Sequence, residues 1–157
     1  MGTNFYLLTK EKKAAQKFAP YSYTLTDEPY FCYQIHIAKT SAGWLPLFQA
    51  HKDGICSVSD LRSAISSGDF EIIDEYGVSY NWEQFSKRVL EWNGGIYGRA
   101  RRQEIPYNSP FTDNRMPKYT PVTHLGGTEQ SYHFESWCAA EYFADSYGYE
   151  FCETEFS

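Results

Sequence analysis

The run Tyr30–Ala38, YFCYQIHIA, constrains the fold more than any other part of the chain. Phe31, Tyr33, Ile35 and Ile37 fall on its odd positions, and Tyr30, Cys32, Gln34 and His36 on its even ones. Side chains of a strand alternate between two faces, so a period of two predicts a half-buried strand. Gly43 interrupts the pattern, and Trp44–His51 resumes it with an edge-type Pro46, so the two runs read as a hairpin. A chain with this segment has to supply a sheet around it.

The remaining segments suit that sheet. Residues 3–8 are aromatic and aliphatic and read as a strand, as do 70–73 and 149–152. Helices are predicted at 10–18, where Thr9 is a candidate cap, and at 58–67, where Ser57 and Asp60 have capping spacing. Asn81 caps a third helix over 81–93, with Trp82, Phe85, Val89 and Trp92 as its apolar stripe and Gly94-Gly95 as its stop. Trp137, Ala140, Glu141 and Ala144 fit helical spacing and predict a fourth helix over 134–146. Residues 96–131 show little periodicity. They hold Arg99, Arg101, Arg102, Arg115 and Lys118 among four prolines and read as an irregular insertion. The expected architecture is α+β: a single domain over 1–157, an antiparallel sheet with helices packed on one face.

Composition narrows the function. The 14 basic and 20 acidic residues leave a net charge of −6, which argues against nucleic acid as a partner. Residues 119–157 contain no Lys or Arg, yet they are rich in Tyr, Phe and Trp, so this acidic tail is expected to fold. No run reaches the roughly 18 apolar residues of a membrane span. The opening MGTNFYLLTKEKK has no apolar leader core or cleavage site, and Tyr6 stands where myristoylation wants Ser or Thr. A cytoplasmic protein is expected. Cys32, Cys56, Cys138 and Cys152 form no CxxC pair, and His36, His51, His124 and His133 match no metal-binding spacing, so no metal or cofactor is expected.

The segment His36–Trp44 carries the richest chemistry. His36, Lys39, Thr40, Ser41 and Trp44 bring an imidazole, an ammonium, two hydroxyls and an indole to one strand end. A turn through Ser41 and Gly43 can expose backbone N–H groups to an anion, Lys39 suits phosphate, and Trp44 can stack on a ring. Together they suit a nucleotide-like ligand; the plainer reading is a hairpin with its indole in the core. Asp74, Glu75 and Tyr76 place two carboxylates and a phenol at a turn before Gly77. Such a group can work as acid and base, though a turn also favours Asp, and neighbours in a strand face opposite ways. Ser41 with Lys39, and Cys56 with His51, can be written as nucleophile and base, but neither sits in a known motif.

Four segments resemble a family of small phage and prophage proteins: GTNFYL at residues 2–7, HIAKTSAGW at 36–44, DEYG at 74–77 and EFS at 155–157. The family typically reads GTNYYL, HIGKSSAGW, DEYG and EFS in that order. This chain departs with Phe5, Ala38 and Thr40, and it lacks the cysteine pair that members often carry between the first two segments. The resemblance covers about residues 1–95 and the last ten. It implies a phage-encoded accessory protein and brings no mechanism with it. Without a catalytic motif, the expected function is binding: capture of a host protein or a small nucleotide signal, with inhibition of host defence as the role such a gene origin suggests. The alternatives are a protein-interaction module without a small-molecule site, and a small nucleotide or phosphoester enzyme.

Overall fold

A computed structural model describes residues 2–26, 32–41, 44–91, 119–134 and 141–156, with the backbone alone for 44, 45, 119, 120 and 134. The chain order is β1 (Gly2–Thr9), α1 (Lys12–Phe18), β2 (Thr24–Leu25), β3 (Tyr33–Ser41), β4 (Trp44–Gln49), α2 (Val58–Ser66), β5 (Glu71–Asp74), β6 (Ser79–Tyr80) and α3 (Trp82–Phe85). The helix of α3 continues through Ser86–Leu90 as a π-type turn; β7 (Tyr119–Val122), β8 (Ser131–Phe134), β9 (Tyr142–Ala144) and β10 (Glu150–Cys152) follow. The strands form one sheet in the order β6-β5-β1-β3-β4-β10-β9-β8-β7, with β2 paired to β3 off this path.

The pairing is antiparallel except between β10 and β4, which run parallel with Phe151 beside Phe48. That contact joins the acidic tail to the rest of the molecule. Phe151 stacks on Phe48 at 5.2 Å and on Phe143 at 5.6 Å, and all three rings are fully buried. Each such ring contributes about 1.5–3 kcal/mol by leaving water. The tail therefore resists solvation despite its charge.

Local signals account for most elements. The Ser57 hydroxyl accepts the Asp60 N–H at 3.0 Å and starts α2. Asn81 and Gln84 form a reciprocal capping box at the start of α3. Phe85 and Val89 of the predicted stripe are buried, whereas Trp92 lies outside the described residues. Thr9 does not cap α1 in the expected way: its hydroxyl accepts from the Glu11 N–H at 3.0 Å, and Glu11 takes the cap position.

Two expectations are corrected. The helix predicted over 134–146 is absent from its described part, where Phe134 ends β8 and Tyr142–Ala144 form β9. Phe143 and Ala144 gain full burial by pairing with Phe151 and Glu150, which outweighs the weak helical spacing. The insertion expected at 96–131 is not irregular throughout, because Tyr119–Val122 pairs with Ser131–Phe134 as a hairpin. Residues 96–118, with the arginine cluster, lie outside the described residues. Among the described residues, no helix is long and apolar enough to cross a membrane.

Candidate functional site

The site begins with an irregularity in the pairing of β1 and β3. Phe5 pairs with Ala38 and Tyr6 with His36, so Ile37 is an extra residue that bulges from the ladder. In a regular strand His36 and Lys39 would face opposite sides. The bulge resets the alternation, so that Ile35, Ile37 and Ala38 are all buried while Lys39 pairs with Asn4 and His36 with Tyr6. Asn4, Tyr6, His36 and Lys39 thereby share one side of the sheet.

A hydrogen-bonded chain links them to the turn after β5. Glu75 accepts the Asn4 backbone N–H at 2.8 Å and lies 3.5 Å from its side-chain nitrogen. Asn4 Oδ1 in turn accepts from His36 Nε2 at 2.9 Å, which fixes that ring nitrogen as the protonated one. The C-terminal segment closes the cluster, since the Phe156 ring meets the His36 ring edge-on at 4.9 Å and Tyr6 flanks it at 5.3 Å. Gln49 Nε2 donates to the carbonyls of Ala50, Cys152 and Thr154 at 3.3, 3.2 and 3.0 Å, which fixes its amide orientation.

Burial pulls the His36 pKa below its ordinary value, and Lys39 adds to that. The Gln49 side chain, the Ala38 backbone and Glu155 pull the other way without prevailing, so His36 is neutral at pH 7. Burial and the Glu75 charge raise the Tyr6 pKa. Behind the strand, the buried His51 donates from Nε2 to the His36 carbonyl at 2.7 Å, and its Nδ1 accepts from the Ser22 hydroxyl at 2.5 Å. That pairing has the spacing of a nucleophile and base. Burial, however, lowers the His51 pKa to about 4, which makes it a poor base, and both nitrogens are committed to holding β3 in place.

The predicted site residues separate into groups. His36, Lys39 and Glu75 come together with Asn4, as described. Lys39 and Ser41 both lie against Gly2, where an added Cβ would come within 2.7 Å of the lysine Cε and 2.8 Å of the serine Oγ. Thr40 pairs with Thr3 on the neighbouring strand. Gly43 and the Trp44 side chain lie outside the described residues, so the turn and the stacking indole are undescribed. Asp74 is buried and serves its own turn: it accepts from the N–H groups of Tyr76 and Val78 at 2.9 and 3.0 Å and from the Tyr80 hydroxyl at 2.7 Å. Burial pushes the Asp74 carboxyl up, but these donors and Arg88 overcome it and hold the pKa below its ordinary value. Gly77, at φ +85°, lets the chain close this turn. Tyr76 is 67% exposed beside it.

The pairing of Cys56 with His51 does not form. The thiol faces the His51 and Leu125 carbonyls at 3.1 and 3.6 Å rather than the imidazole, and burial pushes it up to about 12. His124 meets Glu153 and His133 meets the Tyr142 carbonyl, and among the described residues no three His, Cys, Asp or Glu side chains gather as a metal site. Residue reading missed Asn4, Tyr6, Gln49, Glu155 and Phe156 as members of the site; all but Gln49 stand in segments of the family resemblance. The signal for Asn4 and Gln49 is a polar residue inside an apolar strand.

Comparison with protein-family models, with curated proteins and with solved structures finds no match to this chain.

Proposed function

We propose that this chain is a binding protein, a phage-encoded accessory factor acting in the host cytoplasm, that captures a host protein on the side of β1 and β3 bearing His36. The observation that carries the reading is the meeting of Asn4 and Tyr6, His36 and Lys39, Glu75, and Glu155 with Phe156 at one place, although they come from four distant segments. In this reading the helices cover one face of the sheet. Ala15, Phe18, Leu61, Ala64, Phe85 and Val89 are buried, and most join the same apolar cluster as Phe5, Leu7 and Ile35, which leaves the His36 side for recognition.

A protein suits this surface better than a nucleotide does. Among the described residues, cavities of about 340, 420 and 450 Å³ lie away from His36: under the 123–131 loop, beside Gly68–Glu71, and next to β6. Small ligands favour enclosing clefts, whereas aromatic side chains such as Tyr6 and Phe156 are enriched at protein interfaces. Inhibition of host defence is the role the phage resemblance suggests.

The test is affinity purification of the tagged protein from infected cells followed by native mass spectrometry, beside the double variant His36→Ala/Lys39→Glu. A host polypeptide held by the original chain and lost from an equally stable variant supports the reading. A retained compound of a few hundred daltons with no polypeptide would replace it with nucleotide capture. A bare protein in both samples would sink it.

A further inference from the structure

The recognition face already has an occupant. Beyond β10 the chain continues as Glu153–Phe156, and its backbone is tied down by the Gln49 side chain donating to the Thr154 carbonyl at 3.0 Å and by the Glu153 N–H donating to the Glu141 carbonyl at 2.9 Å. Glu155 lies close enough to raise the basicity of His36, and Phe156 sets its ring edge-on to the imidazole at 4.9 Å. Along the strap the face thus meets a peptide carbonyl and an aromatic ring, with a carboxylate between them.

One contact in this arrangement is left unmade. Gln49 is 2% exposed; its nitrogen meets three carbonyls, and its Oε1 faces the His36 imidazole closely enough to raise the basicity of that ring without closing a full hydrogen bond to any group. A buried acceptor short of a full hydrogen bond is destabilising, and the strap does not relieve it. An incoming peptide that offers a backbone N–H there would make a bond the strap lacks.

We infer that the His36 face is a cradle for an extended acidic-aromatic peptide segment of a partner protein, and that residues 153–156 fill it in cis until such a segment displaces them. The inference rests on the binding reading above and names the chemistry of its partner. It also gives the site a built-in threshold. A cradle closed nine-tenths of the time binds its ligand about tenfold more weakly than an open one.

The test uses the full chain and a fluorescein-labelled peptide of sequence Glu-Thr-Glu-Phe-Ser, read by fluorescence polarisation. Phe156→Ala should open the cradle and tighten peptide binding at least tenfold over the original chain. Replacing the Phe of the peptide by Ala should abolish binding, and His36→Ala in the Phe156→Ala background should do the same. If Phe156→Ala lowers Tm by more than 10 °C, Phe156→Leu carries the same comparison. Equal binding by the closed and opened chains, or no preference for the aromatic peptide, overturns the inference. Dimers that form on opening and dissolve with excess peptide would mean that the strap can also fill the cradle of a second copy, and would uphold it. Peptide binding without any captured host polypeptide would remove the proposed function and leave the cradle standing.

Discussion

His51 and Asp145 are both buried ionisable groups with every exposed edge committed to a hydrogen bond, yet they hold different halves of the sheet and answer pH in opposite senses. His51 is 3% exposed and ties β3 to the turn at Ser22, using one ring N–H and one ring acceptor. Asp145 is fully buried between the tail hairpin and α2, and accepts from the N–H groups of Val58, Tyr147 and Tyr149 at 2.8, 3.0 and 2.9 Å. Burial lowers the imidazole to about 4 and raises the carboxyl to about 6, where three N–H donors resist the rise and Glu129 adds to it. Neutrality is what burial favours in each case. It costs the histidine nothing at pH 7, because the neutral imidazole is the form its partners need. The aspartate's partners are all donors, so its best-bonded form is the charged one, and the tail carries that conflict at neutral pH.

The largest effect is expected from Asp145→Ala. It leaves three N–H groups facing an apolar gap and removes the anion at the start of α2, at a cost of about 3–5 kcal/mol by denaturant unfolding at pH 7. Asp145→Asn keeps one acceptor and turns an amide N–H toward donors, so its cost should be about half as large. The asparagine variant also tests the pH sense. A carboxyl raised from 3.8 to about 6 holds its proton more tightly in the folded state, so its contribution is greatest below pH 4 and falls as pH rises through 6. Asp145→Asn should remove that decline. If the original chain shows no such decline, the three N–H donors outweigh burial, and the contrast with His51 disappears.

His51→Gln should come next, at about 2 kcal/mol at pH 7, because the amide can reach only one of the two partners. A histidine lowered from 6.5 to about 4 stabilises the fold fully above pH 6.5, and that contribution is lost as pH falls toward 4. The size is about 3 kcal/mol over the window. Between pH 4 and 6 the two groups therefore oppose each other, and the original chain should show a shallow slope there, with His36 adding to the sense of His51. Each single variant should tilt the curve, His51→Gln downward with rising pH and Asp145→Asn upward. Urea unfolding at half-unit pH steps reads both slopes.

The half of the sheet that His51 supports was far easier to read from residues than the half held by Asp145. β1, β3 and β4 are long enough for a period of two to show, and Ser57 and Asn81 announce their helices. The tail strands are three or four residues long. Period two cannot be told from period 3.6 in so few positions, and Ala140, Glu141 and Ala144 then favour a helix on spacing alone. The site was legible in part for a related reason. His36, Lys39 and Glu75 stand out by chemistry, but the bulge at Ile37 that puts the first two on one side is invisible, because Ile35, Ile37 and Ala38 are all apolar and any of them can be buried. Asn4, Gln49 and Phe156 act through contacts set by pairing across 32 residues or more, which local patterning does not carry.

The smallest expected effect separates burial from hydrogen bonding at His51. If the Nε2 proton is donated to the His36 carbonyl, Nδ1 has only a lone pair, so the Ser22 hydroxyl must be the donor in that short contact. Such a donor favours the neutral imidazole. Ser22→Ala removes it at a cost of about 1 kcal/mol. It should also raise the His51 pKa above 4 in an NMR titration of the ring protons, because burial and the His36 charge then oppose the His36 carbonyl without the hydroxyl's help. The stability curve should respond in step, with a smaller loss between pH 6.5 and 4 than the original chain shows. An unchanged pKa would mean that exclusion from water and the His36 charge suffice to keep His51 neutral, and that the Ser22 contact serves only to anchor the turn after α1.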